Sequence, residues 1–123
     1  MPSSSRTTPT PDSLLPLKPV VFQVLLSLVD GERHGYALVQ DIAERTSAKI
    51  DLEPGNLYRI LNAMLDEGVI EEAERRAAPD RDDERRRYYR ITPFGRKVAM
   101  AEAARLEDIV AEARARKLIP ARR

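Results

Sequence analysis

The chain has 123 residues, of which 42% are hydrophobic and 33% are charged, and its formal net charge is +1. This length suits one compact domain, and the near-neutral charge means that a nucleic-acid-binding surface must be sought in local clusters. The sequence has no cysteine and a single histidine, His34, which excludes disulfides and thiolate metal sites. No segment approaches the ~20 apolar residues that span a bilayer, and the N-terminus has no apolar stretch typical of a signal peptide. We therefore expect a cytoplasmic protein with no membrane partner, no metal and no other cofactor.

Two helices are predicted after an N-terminal tail. Residues 1–13 are mostly Ser, Thr and Pro, a composition that predicts disorder. Pro19 suits the first turn of a strongly apolar helix that ends at Gly31. A second helix is expected over residues 35–45, where apolar residues fall on one side at helical spacing.

A third helix is predicted between Pro54 and Gly68, because its apolar residues recur at i, i+3, i+4, i+7 and i+8. Its other side carries the candidate DNA-reading residues Gly55, Asn56, Tyr58, Arg59 and Asn62. Side chains near the start of such a helix reach base edges in the major groove, where Arg can bond guanine and Asn can bond adenine. An ordinary solvated helix face is the alternative interpretation.

The residues after Gly68 predict a β-hairpin with a long charged tip, formed by the segments 69–76 and 85–92. Strand alternation places Tyr89 inward and Tyr88 outward. The hairpin carries three candidate phosphate-binding residues, Arg85, Arg86 and Arg87. The alternative is a solvated hairpin whose arginines pair with the acidic residues of the tip, Asp80, Asp82, Asp83 and Glu84.

A long helix is predicted from Pro93 to about Lys117. Its apolar stripe is narrow, so the helix would bury too little apolar surface on its own. We therefore expect it to form a homodimer, with candidate interface residues Phe22, Val98, Leu106, Ile109 and Val110. The apolar first helix suggests a pocket against the partner's last helix for a small apolar or aromatic effector. A fully packed interface without a ligand is the alternative.

Three helices followed by a hairpin are the winged helix-turn-helix plan. The predicted fold is mainly α with a small β-hairpin: residues 14–92 form the winged helix-turn-helix domain and residues 93–118 the C-terminal dimerisation helix.

Four motifs at consistent spacing resemble the PadR family of bacterial transcriptional regulators over roughly residues 17–118: HGYAL at 34–38, PGNLYRIL at 54–61, GVIEE at 68–72 and RRRYYRITPFGR at 85–96. The resemblance implies a winged-helix repressor that dimerises through its C-terminal region and often responds to a small molecule. It also implies that Tyr36 lies near the DNA backbone and that Asn56, Tyr58 and Arg59 form the reading face. The family often has Ser or Thr at the position of Asn56 and Pro at that of Arg59, so base preference does not carry over.

The sequence therefore predicts a homodimeric, sequence-specific regulator, most simply a repressor, that binds double-stranded DNA at a pseudo-palindromic operator. One alternative is a winged-helix module that binds proteins without binding DNA. An enzyme is disfavoured because the sequence offers no nucleophile elbow, metal-ligand spacing or phosphate loop, and His34 is interpreted as structural.

Overall fold

The computed structural model describes residues 9–50, 52–73 and 87–121. Its four α-helices are α1 (Pro19–Val29), α2 (Gly35–Arg45), α3 (Pro54–Glu67) and α4 (Pro93–Ala115), and its three strands are β1 (Arg33–His34), β2 (Ile70–Ala73) and β3 (Tyr88–Ile91). A short 3-10 helix, Pro11–Leu14, precedes α1. The predicted mainly α fold with a small hairpin is confirmed, and each predicted helix is present.

The helix ends follow from local chemistry. Pro19, Pro54 and Pro93 each occupy the first helical position, where a missing N–H is harmless. Helix α3 ends at Gly68, whose left-handed φ of 79° suits glycine. Helix α4 is capped by Thr92, whose Oγ accepts the N–H of Gly95 at 2.9 Å.

The sheet contains a third strand that the sequence did not predict. The order is β1-β3-β2, and both pairings are antiparallel. Strand β1 has only two residues, so its sequence is too short to show the alternation of apolar and polar residues that identifies a strand. On β3, Tyr89 is buried as predicted, whereas Tyr88 is half-buried and meets the His34 ring edge-on at a centroid distance of 5.4 Å.

The core is shared by α1, α2, α3, the sheet and the start of α4. Val98 of α4 is fully buried within its own chain. Its assignment to the dimer interface was therefore wrong, because the side chain has no surface left for a partner. A Cβ at Gly95 would lie 1.9 Å from the carbonyl oxygen of Val69, so only glycine permits α4 to start this close to the end of α3.

The N-terminal segment contacts α4 through the 3-10 helix Pro11–Leu14, which includes the last three residues of the tail predicted to be disordered. Leu14, Leu15 and Leu17 pack against the core. The carboxylate of Glu102, whose residue is only 2% exposed, accepts a backbone hydrogen bond from Leu17 and two from Arg105 at 2.8 Å each. These bonds, chiefly those from the Arg105 guanidinium, lower the pKa of Glu102. The rest of the predicted tail, residues 1–8, lies outside the described residues.

Candidate nucleic-acid interface

The start of α2 presents an exposed aromatic ring. His34 is the N-cap residue of α2, and its Nδ1 accepts the N–H of Ala37 at 3.2 Å. Two residues on, Tyr36 is 67% exposed. The Tyr36 hydroxyl accepts a hydrogen bond of 3.3 Å from Gln40, so the ring is held on the outside of the helix-turn-helix.

The predicted reading residues all lie on the outer side of α3. Leu57 and Leu61 are buried against α2 and the core, and this fixes the rotation of the helix. The outer side exposes Gly55, Asn56, Tyr58, Arg59 and Asn62. A Cβ added to Gly55 would meet no protein atom within 4 Å, so the packing of this chain does not itself require glycine there.

Two of these side chains are joined to each other. The guanidinium of Arg59 donates a hydrogen bond to the side-chain carbonyl of Asn56, one turn earlier on α3. The side-chain NH₂ of Asn56 remains available to an outside acceptor, as do the other donors of Arg59. The pair therefore presents several hydrogen-bond donors, and the Asn56 carbonyl has one of its two acceptor positions occupied by Arg59.

Glutamates neutralise the arginines on the described part of the hairpin. Arg90 pairs with Glu71 at 2.7 Å and with Glu32 at 3.5 Å, and Arg87 pairs with Glu72 at 3.5 Å. The partners come from β2 and from the residue before β1. The acids of the tip, which the alternative interpretation pairs with the arginines, lie outside the described residues. Arg85 and Arg86, the other two predicted wing contacts, lie outside the described residues.

A polar network that sequence reasoning missed attaches α2 to α1. The hydroxyl of Ser27, buried on α1, donates to Asp41 of α2 at 2.6 Å, and Arg45 donates to the same carboxylate at 2.9 Å and to the Ser27 hydroxyl at 2.6 Å. Arg33 adds a longer ion pair of 3.9 Å. The Ser27 hydrogen bond is the largest influence that lowers the pKa of Asp41, and the two arginines add to it. The signal in the sequence was a pair of polar residues, Gln23 and Ser27, one turn apart in a largely apolar helix.

The remaining candidate interface residues differ in exposure. On α4, Ile109 is 51% and Val110 40% exposed, and Leu106 is half-buried. Phe22 of α1 packs largely against its own core, whereas Leu26 on the same helix is 38% exposed.

Within residues 9–50, 52–73 and 87–121, no group of three or more His, Asp or Glu side chains is placed to hold a metal ion. No helix in the described ranges is both long and apolar enough to cross a membrane.

Comparisons with known proteins agree with this geometry. The model of the transcriptional regulator PadR-like family matches residues 24–101. The chain is 29% identical over 73 residues to an uncharacterized protein of Lysinibacillus sphaericus, a match that spans 59% of this chain and 64% of that protein. It is similar in structure to a PadR family regulator of Clostridium difficile, with a TM-score of 0.67 and 18% identity over 79% of this chain and 96% of the other. It is also similar to Bacillus subtilis PadR in complex with operator DNA, with a TM-score of 0.58 and 20% identity over 70% of this chain and 47% of the other.

Proposed function

Since this chain belongs to the PadR-like family of transcriptional regulators, we propose that it binds a pseudo-palindromic operator as a homodimer and represses transcription. The observation that carries this proposal is the outer side of α3, where Asn56 and Arg59 stand exposed beside the exposed rings of Tyr36 and Tyr58. A helix held by its apolar side on a helix-turn-helix, with donors near its start, suits major-groove recognition.

The Asn56–Arg59 pair supports a particular kind of base reading. The side-chain carbonyl of Asn56 already accepts a hydrogen bond from Arg59, and this contact competes with bidentate recognition of adenine, which uses the same oxygen. The NH₂ group of Asn56 and the guanidinium of Arg59 together suit acceptor-rich edges such as O6 and N7 of guanine. We propose that α3 reads a guanine through Arg59, with Asn56 orienting the guanidinium.

The wing and the start of α2 are proposed to bind the DNA backbone. The Arg87–Glu72 pair is well exposed, with side-chain exposures of 61% and 47%, and exposed pairs contribute only ~0–1 kcal/mol. Arg87 can therefore exchange Glu72 for a phosphate at little cost. The exposed hydroxyl of Tyr36 is proposed to meet a phosphate, and Arg85 and Arg86, which directly precede Arg87 in the sequence, are proposed to do the same.

The dimer is proposed to form through the second half of α4. Leu106, Ile109 and Val110 follow one another at spacings of three and one, so they lie on neighbouring positions of one side of the helix. Two of them are 40% or more exposed, and pairing with the same side of a second α4 would bury them under closed two-fold symmetry.

We also propose that a small apolar or aromatic effector controls DNA binding. This proposal is supported by the apolar surface that α1 leaves uncovered, where Leu26 and Val29 are 38% and 37% exposed. A ligand between this surface and the partner's α4 would weaken DNA binding if it favoured a subunit spacing that mismatches the half-sites.

The test is selection of bound sequences from a random duplex pool with the full chain. We expect enrichment of an inverted repeat whose half-site centres lie about one helical turn, or a multiple of it, apart. Analytical ultracentrifugation of the complex should give two chains per duplex. Failure to enrich any sequence would contradict the proposal and favour a protein-binding winged helix.

A further inference from the structure

An apolar cleft of about 380 Å³ opens between the first turns of α2 and α3. Its lining residues are Gly35, Tyr36, Val39, Leu52, Pro54, Leu57 and Tyr58. The only polar side-chain atoms among these seven residues are the two tyrosine hydroxyls, so the cleft offers no cation to a phosphate. Two of its lining residues, Tyr36 and Tyr58, are exposed residues of the proposed DNA-binding surface.

The shape of the cleft depends on Gly35. A Cβ at this position would lie 2.8 Å from the hydroxyl and 3.2 Å from Cζ of Tyr58. Without that Cβ, the Tyr58 ring lies directly against the backbone of α2 and closes one side of the cleft. Tyr36, on the same first turn of α2, forms the exposed rim.

We infer that this cleft receives the 5-methyl group of a thymine in each operator half-site; the inference rests on the proposed DNA binding. The edges of the base pairs in the major groove carry hydrogen-bonding groups and one apolar group, the thymine methyl. A concave apolar surface beside the polar side chains of the reading face therefore matches this group and no other base substituent. The cleft is larger than a methyl, so the C5–C6 edge of the base enters with it.

The test removes the methyl from the DNA. Each thymine of the selected operator is replaced in turn by deoxyuridine, and the dissociation constant is measured by fluorescence anisotropy at fixed salt. Burial of one methyl group predicts about a fourfold loss of affinity at one thymine per half-site, and roughly a sixteenfold loss when both half-sites are replaced. Other thymines should change affinity by less than about twofold.

A matched pair of variants assigns the effect to the cleft. Val39→Ala removes part of the wall and should reduce the thymine preference to about twofold or less. Val20→Ala makes the same change at a half-buried valine in the first turn of α1, outside the cleft lining, and should keep the fourfold preference. A readout that needs no variant is also available: cytosine at the same position should bind more weakly, and 5-methylcytosine should recover the methyl contribution.

The outcomes separate this inference from the proposed function. If no sequence is bound, the proposed function fails and the inference fails with it. If the operator is bound but no thymine shows a deoxyuridine penalty, the inference alone is overturned. A penalty of equal size in Val39→Ala and in the unaltered protein would also overturn it, because the methyl would then be recognised elsewhere.

Discussion

Replacement of Asp41 by Ala should destabilise the whole helix-turn-helix, because this carboxylate joins α2 to α1. The substitution removes the acceptor of the Ser27 hydroxyl at 2.6 Å and of the Arg45 guanidinium at 2.9 Å. Hydrogen bonds to charged groups contribute about 1.5–3 kcal/mol each. The Asp41 side chain is 20% exposed and Arg45 keeps its bonds to Ser27 and Gln23, so the lower end of that range applies. We expect a loss of about 2–3 kcal/mol in the free energy of unfolding.

The assay is urea denaturation followed by circular dichroism at one protein concentration, since the stability of a dimer depends on concentration. The midpoint should fall by about 1–2 M for a typical dependence on urea. Asp66→Ala, an exposed aspartate on α3, is the matched control and should change stability by no more than about 0.5 kcal/mol. Asp41→Asn keeps an acceptor for Ser27 but loses the charge, so it should fall between the two. Equal midpoints for Asp41→Ala and Asp66→Ala would refute the role given to this network.

The same contact predicts a pH dependence. The pKa of Asp41 is lower in the folded chain than its usual value, chiefly because Ser27 donates to the carboxylate. The stabilisation is therefore complete above about pH 5, beyond the unfolded pKa, and is lost as the pH falls through the lower folded pKa. The stability difference between the unaltered chain and Asp41→Asn should shrink between pH 5 and pH 3, and a constant difference would contradict this origin.

Three further predictions concern the reading helix, the start of α2 and the dimer. Arg59→Ala should cost on the order of 1–3 kcal/mol on the selected operator and much less on random duplex. Arg96→Ala, at the start of α4 and near the end of α3 opposite to its reading residues, should leave the difference between the two duplexes unchanged. Equal losses on both duplexes with Arg59→Ala would assign Arg59 to contact with the DNA backbone. His34→Ala removes the N-cap of α2 and should lower the urea midpoint by an amount equivalent to about 1 kcal/mol. His34→Asn restores a capping acceptor and should recover most of this loss. No recovery would mean that the ring contact with Tyr88, and not the cap, stabilises the fold. The double variant Leu106→Lys and Ile109→Lys should sediment as a folded monomer, because the core lies upstream of both residues. DNA affinity should fall sharply, because the second half-site is no longer bound at the high effective concentration that a dimer provides. A double variant that stays dimeric would place the interface elsewhere.

Sequence periodicity predicted the local elements well, because their determinants are local. The apolar spacing in α3, with Pro54 before it and Gly68 after it, defines one buried side and two ends, and that side fixes which residues face outward. The same reasoning placed Tyr89 in the core. The exposure of Asn56 and Arg59 followed directly from the rotation of the helix.

Contacts between distant segments could not be predicted in this way. An apolar stripe indicates that a helix face is buried but does not identify what covers it. Val98 was therefore assigned to a second subunit, although its own core covers it. Strand β1 forms only through its hydrogen bonds to β3, which is distant in the sequence. Ser27 finds its hydrogen-bond partner only when α2 brings Asp41 next to it.

The position of Val98 has a consequence for how the proposed dimer would set operator spacing. The first turns of α4 are part of the core: Gly95 touches the backbone of residue 69 just after α3, and the hydroxyl of Thr92 donates to the carbonyl of Gly68 at 2.6 Å. The end of α3 and the start of α4 are thus joined by close packing and not by a free linker. A helix rises about 1.5 Å per residue, so the exposed residues near Ile109 lie roughly 24 Å along a rigid rod from Pro93. If two such rods pair, the separation and tilt of the two α3 helices follow from the rod-to-rod contact alone. A change of a few degrees in the angle between the two α4 helices would then rotate the reading helices by the same amount. In the proposed dimer, the α4 pairing would therefore determine the spacing of the half-sites.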